Sequence, residues 1–164
     1  MPGDYQKLFD LGGRVAMVTG AGQGVGRAIA HALGAFGAGG LIVNDFDANR
    51  AAQVVEELAA KGVKAAAMVA DVSDHAQIRA RVAELAAALG PIDILVNNAG
   101  ATWGAPAEDH PVEAWDKVMN LNVRGYFILS QEVAKLSMIP RGKGRILNVA
   151  SIAGLAGNPS EMKT

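Results

Sequence analysis

Five short apolar runs alternate with longer segments whose apolar residues recur at helical spacing, and this alternation constrains the fold most strongly. The runs span residues 15–19, 41–44, 66–70, 92–96 and 146–149. They are apolar at consecutive rather than alternate positions, which is typical of strands covered on both faces. Strands that alternate with crossover helices predict an α/β fold, a doubly wound parallel sheet (Rossmann fold) in the order 3-2-1-4-5. Ligands of such sheets bind beyond the carboxyl ends of the strands.

Four segments between the runs predict the helices. The first two have one apolar face each, formed by Val25, Ile29, Leu33 and Phe36 and by Val54, Val55 and Leu58. The third starts at Asp74, a predicted N-cap with Gln77 three residues later, and ends at Gly90. The fourth starts near Pro111 and extends towards Ser137.

Composition limits the kinds of partner. With 164 residues the chain has the size of one domain, and its net charge of -1 attracts neither nucleic acid nor an anionic membrane. It contains no cysteine, which excludes disulfides and thiolate chemistry and fits a cytoplasmic protein. No secretory signal is predicted, because residues 1–10 carry Asp4, Lys7 and Asp10 and lack an apolar stretch. No transmembrane segment is predicted, because glycines interrupt the uncharged stretch around residues 28–44.

A glycine-rich turn follows the first predicted strand and leads into the first helix. Gly20 permits a tight turn, Gly24 lets the backbone approach a pyrophosphate, and Gly26 lets the helix pack closely on the strand. The backbone amides and the helix dipole would face the anion. The spacing Gly-x3-Gly-x-Gly is looser than Gly-x-Gly-x-x-Gly, so a purely structural turn is an alternative. The flanking strand and helix favour a phosphate site that includes Gln23 and Val25.

Asp45 ends the second predicted strand, at about the separation from the glycine turn at which a carboxylate binds the adenosine ribose. A 2'-phosphate would meet this negative charge, and neither Gln23 nor Phe46, where a compensating cation is expected, is basic. NAD is therefore predicted over NADP. Asp45 or Asp47 could instead only cap the second helix, a role that suits Asp47 better. Arg50 is interpreted as a solvated helix residue.

Further motifs follow at Asp71-Val72, at residues 97–100 (Asn-Asn-Ala-Gly), at Asn122-Val123 and at residues 144–151. In order and spacing they resemble the short-chain dehydrogenase/reductase family, over nearly the whole chain from Leu11 onward. The resemblance implies an NAD(P)-binding Rossmann domain over residues 1–164 that is incomplete at its C-terminal end, after about the fifth strand. For the full-length protein it implies an oxidoreductase that transfers hydride between nicotinamide and an alcohol or carbonyl substrate, as a homodimer or homotetramer.

The resemblance also assigns roles at the ends of the third and fourth strands. Asp71 would accept a hydrogen bond from the adenine amino group, and Val72 would flank the ring. Asn97, Ala99 and Gly100 would hold the fourth strand against the cofactor. Taken locally, Asp71 could equally be a turn or capping residue, and residues 97–100 could be an ordinary turn.

Asn122 lies in a stripe of mostly apolar residues at helical spacing and is predicted to be buried. The stripe consists of Trp115, Met119, Asn122, Tyr126, Leu129, Val133 and Leu136. A buried amide needs hydrogen-bond partners, and asparagine is a poor helix-interior residue, so a specific role is expected. A polar contact between helices is the alternative. The resemblance implies that Asn122 interrupts the helix and helps to hold a water of the proton relay.

Ser151 follows the fifth predicted strand, and by resemblance it would hydrogen-bond the reacting oxygen; a strand-end serine without this role is the local alternative. The family transfers its proton through a tyrosine followed four residues later by a lysine. The residues after Ser151 include no tyrosine, and Tyr5 and Tyr126 are followed at that spacing by Phe9 and Ser130. The pair is expected beyond this chain, which alone is predicted to be inactive.

Other functions remain open from the sequence. One is a non-catalytic dinucleotide-binding module, and a less favoured one is a methyltransferase that binds another adenosine ligand on the same sheet. No metal site is expected, because His31, His75 and His110 are far apart and lack carboxylates at ligand spacing. Glu57 and Lys61 are interpreted as part of a solvated helix face.

Overall fold

The computed structural model describes residues 8–154 and contains one parallel sheet. Its strands are β1 (Val15–Thr19), β2 (Gly40–Asp45), β3 (Ala65–Val69), β4 (Ile92–Asn97) and β5 (Arg145–Asn148). Their spatial order is β3-β2-β1-β4-β5, which confirms the predicted topology. Each predicted strand boundary lies within one residue of the observed one. The doubly wound α/β fold is therefore the fold of this chain.

Three crossover helices connect the first four strands. They are α1 (Gly24–Ala35), α2 (Ala48–Ala59) and α3 (His75–Leu89). The predicted fourth helix is composite and consists of α4 (Val112–Met119), a π-helical segment (Asn120–Gly125), α5 (Tyr126–Val133) and a second π-helical segment (Ala134–Met138). A π-helical turn contains one residue more than an α-helical turn. Such turns are uncommon within α-helices and often occur at functional sites.

Side-chain caps set the starts of two helices as the sequence predicts. The carboxylate of Asp74 accepts a hydrogen bond from the Gln77 amide at 3.1 Å. The carboxylate of Asp47 accepts from the Asn49 and Arg50 amides at 2.9 and 3.1 Å. The capping role considered for this region thus belongs to Asp47, because it satisfies amides that lack partners within the helix.

The sheet separates two hydrophobic cores. The core shared with α1 and α2 contains Ala16, Val18, Ala30, Val54 and Leu58. The core shared with α3 and α5 contains Met17, Ile42, Ile78, Val82, Leu129 and Val133. Successive residues of β1 belong to different cores because strand side chains point alternately to the two faces. The consecutive apolar pattern of the central strands has this cause.

Two predicted apolar faces are only partly correct. On α1, Val25 and Phe36 are exposed, and the helix instead buries Gly26 and Ala30 against the sheet. In the stripe around Asn122, Leu129 and Val133 are fully buried, but the other large apolar members are exposed. These exposed members are Trp115, Met119 and Leu136. The π-helical segments shift the rotation of the helix, so a constant 3.6-residue period does not describe its buried face.

The side chains of β5 are exposed over the whole strand, unlike those of the central strands. Ile146 and Leu147 are 40% and 51% exposed, so the prediction of strands covered on both faces is wrong for β5 in this structure. β5 pairs only with β4 among the described residues, and it forms one edge of the sheet.

Within residues 8–154, no helix combines the length and apolarity needed to cross a membrane.

A charged cluster joins α1 to α2 on the outer surface. Both carboxylate oxygens of Glu57 accept from the Arg27 guanidinium, at 2.8 and 2.9 Å, and the Glu57 carboxylate also lies 2.9 Å from His31 Nε2. Lys61 Nζ lies 3.3 Å from the other ring nitrogen of His31. Lys61 is exposed, as a solvated face predicts, whereas Glu57 is half-buried and is paired with residues of α1, which the sequence spacing did not indicate. Hydrogen bonds from Arg27, and then from His31, lower the pKa of Glu57 to about 2.

The lowered pKa of Glu57 predicts a specific acid sensitivity. Because the folded pKa lies below the ordinary value of 4.5, ionised Glu57 stabilises the fold above that pH, and this contribution is lost as the pH falls towards 2. We expect Glu57→Gln to lower the free energy of unfolding at neutral pH and to flatten its decline between pH 4.5 and 2. Urea titrations across this range measure both effects. The neighbouring, exposed Glu56→Gln is the control, and equal slopes in both variants would contradict the prediction.

Candidate functional site

One pocket of about 590 Å³ lies at the carboxyl ends of the strands, beside the start of α1. This volume is typical of small-molecule and cofactor sites, which range over roughly 300–1,000 Å³. Of the residues that the sequence predicts to contact a cofactor, all except Asn97 line it. They are Gly20, Gln23, Gly24, Val25, Gly26, Asp45, Asp71, Val72, Ala99 and Gly100. The fold thus brings four separate sequence motifs to one place.

The turn between β1 and α1 brings backbone groups to the edge of the pocket. Gly20 and Gly24 have φ angles of 60° and 53°, in the left-handed region that favours glycine. No atom lies within 4 Å of the position that a Cβ on Gly24 would take, so this side of the turn is open. Among the described residues, Gln23 makes no side-chain cap to the first turn of α1. Uncapped amides at a helix start form a site for an anion.

The segment after β4 locks this turn in position. Thr19 Oγ1 accepts hydrogen bonds from the Asn98 and Ala99 amides, both at 2.9 Å. The Asn98 side chain donates to the carbonyls of Thr19 and Gly20, at 2.9 and 3.3 Å. A Cβ on Gly26 would overlap the Gly20 carbonyl oxygen, which is the close helix-to-strand packing that the glycine spacing predicts. Asn98 was missed as a site residue, although it lies inside the Asn-Asn-Ala-Gly motif.

Asn97 lies behind the pocket and does not line it. Its side chain is fully buried and donates to Ser130 Oγ at 3.0 Å and to Asn148 Oδ1 at 2.8 Å. It therefore connects the end of β4 with α5 and β5. The expectation that Asn97 holds the fourth strand against a cofactor stays a prediction, and among the described residues its side chain contacts protein groups behind the pocket.

Asp45 is the buried anion of the pocket and is 4% exposed. Its Oδ2 accepts from the Gly22 amide at 3.1 Å, and its Oδ1 accepts from the Asp47 amide at 3.0 Å. Arg50 Nη2 lies 3.2 Å from Oδ1. The interpretation of Arg50 as a solvated helix residue is wrong, because its guanidinium also stacks over Phe46, 4.9 Å from the ring centroid, and lines the pocket. Sequence spacing alone did not show which way this side chain turns.

Asp71 and Val72 occupy the end of the pocket that follows β3. Asp71 is exposed, and its Oδ1 accepts from the Ser73 amide at 2.9 Å and from Ser73 Oγ at 2.8 Å. The local turn considered for Asp71 is thus present, and it also fixes the carboxylate beside the pocket. Asn44 holds this end by donating to the carbonyls of Met68 and Ala70, both at 2.9 Å.

Asn122 lies in the first π-helical segment and is half-buried. Its Oδ1 accepts from the Ala101 amide at 2.9 Å, and its Nδ2 donates to the Ala101 carbonyl at 2.8 Å. The amide therefore binds the loop after β4 in both directions, and the alternative of a contact between helices is wrong. Ala101 itself lines the pocket, so Asn122 lies immediately behind its wall.

Ser151 is exposed and lies three residues beyond the end of β5. Its Oγ accepts a hydrogen bond from the Ala153 amide at 3.2 Å. It is not among the residues that line the pocket. Tyr5 and the residues after 154 lie outside the described residues.

His31 lies in α1, His75 starts α3 and His110 precedes α4. His31 and His75 do have carboxylate neighbours, Glu57 at 2.9 Å and Glu132 at 3.6 Å, contrary to what sequence spacing indicates. These carboxylates come from other helices. In the part of the chain that the structure describes, no three His, Asp or Glu side chains are grouped as metal ligands would be.

The glycine turn, the buried acid that ends β2 and the asparagine-bearing loop after β4 all lie within one continuous family match. The profile of the short-chain dehydrogenases matches residues 14–163. This chain is a member of the short-chain dehydrogenase family. The match covers all five strands and the whole pocket.

Relatives within the family share the fold at moderate identity. Gluconate 5-dehydrogenase from Gluconobacter oxydans (strain 621H) is 39% identical over 94% of this chain and 60% of its own length. A gluconate 5-dehydrogenase structure from Burkholderia cenocepacia J2315, in complex with NADP and tartrate, has a TM-score of 0.88 at 38% identity and is matched over 95% of this chain and 60% of that one. An NAD+-bound xylitol dehydrogenase has a TM-score of 0.86 at 34% identity, over 93% and 57%. The chain thus spans about 60% of the length of these relatives.

The Asn122 contact predicts an asymmetric response to substitution. Asn122→Asp keeps an acceptor for the Ala101 amide but places a carboxylate oxygen against the Ala101 carbonyl, where a donor is needed. We expect the free energy of unfolding to fall by about 1–3 kcal/mol at neutral pH. Urea denaturation measures this loss. Asn120→Asp, at an exposed position of the same π-helical segment, is the matched control, and equal losses in the two variants would contradict the prediction.

Proposed function

We propose that the pocket binds NAD and that the protein is an NAD-dependent oxidoreductase acting on an alcohol or carbonyl substrate. The observation that carries the proposal is the combination, in one pocket, of an uncapped helix start with a buried carboxylate at the end of the neighbouring strand. A dinucleotide needs both features, since its pyrophosphate is anionic and its adenosine ribose carries two hydroxyl donors.

The residues of the pocket fit such a ligand. The open side of Gly24 and the amides of the first turn of α1 would bind the pyrophosphate. Asp45 would accept from the ribose hydroxyls, and Asp71 and Val72 would contact the adenine. Ala99 and Gly100 have little or no side chain, which leaves room in the pocket beside the β4 loop. NAD is preferred in this proposal because Asp45 places a negative charge where NADP carries its 2'-phosphate.

In the proposed reaction the cofactor transfers the hydride, and protein residues orient the substrate and transfer the proton. Bound nicotinamide would supply or accept the hydride. Ser151 Oγ would hydrogen-bond the reacting oxygen of the substrate, and Asn122 would hold the β4 loop through Ala101 and support proton transfer through a water. This sequence contains no tyrosine followed at four residues by lysine, so we propose that proton transfer needs residues outside it and that these 164 residues alone bind cofactor without turnover.

Family relatives support the same reaction class. Their names describe the dehydrogenation of a sugar acid, gluconate, and of a polyol, xylitol. Both compounds carry secondary alcohols, whose oxidation gives ketones. We include in the proposal that the full-length protein is a cytoplasmic homodimer or homotetramer. A non-catalytic dinucleotide-binding module is the second candidate, and it is favoured only by the absence of the tyrosine and lysine pair from this sequence.

A charge placed at the start of α1 tests the binding proposal. Gln23→Glu puts a carboxylate beside the expected pyrophosphate position, and Gln23 is exposed, so folding should be unaffected. We expect NAD binding to weaken roughly tenfold, about 1.4 kcal/mol, in isothermal titration calorimetry. The control is Gln77→Glu, which adds the same charge in the first turn of α3, outside the pocket.

Activity is tested with the full-length protein. NAD reduction is followed by the absorbance of the reduced nicotinamide, with gluconate and with xylitol as trial alcohols. Turnover with NAD that is lost in Ser151→Ala supports the enzyme. NAD binding without turnover of any alcohol or ketone tried supports the binding module. Binding of S-adenosylmethionine and not of NAD would reject both.

A further inference from the structure

The π-helical segment between α4 and α5 contacts two loops that line the pocket. Asn122 forms two hydrogen bonds with the backbone of Ala101, in the loop after β4. Gly125, three residues later and buried, lies against the loop after β3. Leu121 of the same segment lines the pocket together with Ala101 and Val72. One helical turn therefore touches both loops and the pocket.

Gly125 approaches the backbone of Val72 closely. A Cβ on Gly125 would lie 3.0 Å from the Val72 carbonyl oxygen and 3.4 Å from the Val72 carbonyl carbon, whereas ordinary van der Waals contacts of a Cβ are 3.4–4 Å. It would also lie 3.3 Å from the carbonyl oxygen of Asn120, in the same turn. All three neighbours are backbone atoms, which cannot rotate away as the end of a flexible side chain can. A methyl group at position 125 would therefore displace the loop or the helical turn.

This close approach, and not the backbone conformation, explains a glycine at position 125. Gly125 has φ and ψ angles of -59° and -44°, which any residue of a helix adopts. Glycine disfavours a helix interior relative to alanine, because it loses more conformational freedom on folding. A buried helical glycine thus needs a reason in packing, and the contact with the Val72 carbonyl supplies it.

The π-helical turn lets the segment reach the two loops at once. In an α-helix, residues three apart lie on one face and are directed to the same neighbour. In a π-helical turn each amide bonds to the carbonyl five residues back rather than four, so Asn122 and Gly125 are rotated further apart. Asn122 then faces the loop after β4, while Gly125 faces the loop after β3.

Val72 is held between the pocket and this helix. Its side chain is 3% exposed and belongs to the hydrophobic core that contains Ile128 and Leu129 of α5. The preceding residue, Asp71, accepts two hydrogen bonds from Ser73 at the edge of the pocket. Because Asp71 and Val72 are adjacent, a displacement of the Val72 carbonyl moves both residues that the proposed function assigns to adenine.

We propose that Gly125 is a positioning residue for the adenosine end of the pocket. Its missing side chain lets the loop after β3 pack on the π-helical turn, at the depth at which Asp71 and Val72 contact an adenine ring. Gly125 itself does not line the pocket. This inference rests on the proposed dinucleotide function. It makes Gly125 a determinant of the affinity for the adenosine half of NAD, and not of the rate of hydride transfer.

The test measures the dissociation constants of AMP and NAD by calorimetry, on the full-length protein and its Gly125→Ala variant. AMP is the probe because it carries the adenosine half of NAD without the nicotinamide. We expect both constants to rise by the same factor, at least about fivefold, since a displaced loop loses contacts that the two ligands share. At saturating NAD and alcohol, kcat should stay within about twofold of the unsubstituted value.

Gly34→Ala is the matched control. Gly34 is also a helical glycine, in α1, and a Cβ there would lie 3.1 Å from its nearest neighbour, the Val63 side chain. It does not line the pocket. The added methyl group tests the effect of crowding a helical glycine elsewhere in the fold, and it should leave the constants of AMP and NAD unchanged.

The outcomes separate this inference from the proposed function. Equal weakening of AMP and NAD in Gly125→Ala, with both constants unchanged in Gly34→Ala, supports the inference. Unchanged constants in a folded Gly125→Ala, weaker binding of NAD without weaker binding of AMP, or equal weakening in Gly34→Ala overturns it while the dinucleotide site stands. Failure of the unsubstituted protein to bind NAD overturns the proposed function and this inference with it.

If Gly125→Ala does not fold, amide hydrogen exchange of the unsubstituted protein decides. AMP should slow the exchange of amides in residues 120–125, because a ligand bound to the loop after β3 stabilises the state in which that loop packs on the π-helical turn. Unchanged exchange of these amides at saturating AMP overturns the inference.

Discussion

The start of α1 rests directly on the end of β1, with no side chain between them, and the rest of the site depends on this contact. A Cβ at Gly26 would overlap the Gly20 carbonyl oxygen, and the Asn98 side chain donates to that same carbonyl. Two backbone segments and the Asn98 side chain therefore meet at one point, at the carboxyl edge of the two central strands. Because the helix is held this close, its uncapped first turn opens into the pocket instead of being displaced into solvent.

The two edges of the sheet use polar side chains differently. At the carboxyl edge, four buried polar residues end the strands, namely Thr19, Asn44, Asp45 and Asn97. Their partners are backbone groups and the side chains of neighbouring strands and helices, since buried polar groups need hydrogen bonds. At the amino edge, Asp93 instead pairs with Arg141 and accepts from the Val15 amide, and these contacts together lower the pKa of its carboxyl despite the opposing effect of burial. The first set shapes a pocket, and the second ties strand ends to the helix that follows.

Much of the architecture was predictable because it depends on local patterns. Short apolar runs set the strands, the Asp74 carboxylate starts α3, and the glycines with positive φ mark the turn. The exposed Val25 and Trp115 were mispredicted because a helical period reports which residues could share a face, and not which face meets the sheet. Between α4 and the end of α5, the π-helical segments also change the number of residues per turn, and no residue type in the sequence predicts where they begin and end.

The sequence by itself determined the parallel sheet, its strand order, the family and most of the residues around the pocket, because these follow from periodicity and from motifs within a few residues of one another. Tertiary structure decided which partners the polar side chains contact. Arg50 pairs with Asp45, Glu57 joins α2 to α1, and Asn122 binds Ala101, and each of these partners lies on another turn or element of the chain. A long flexible side chain reaches several neighbours, so its partner is selected by packing in three dimensions rather than by spacing in sequence.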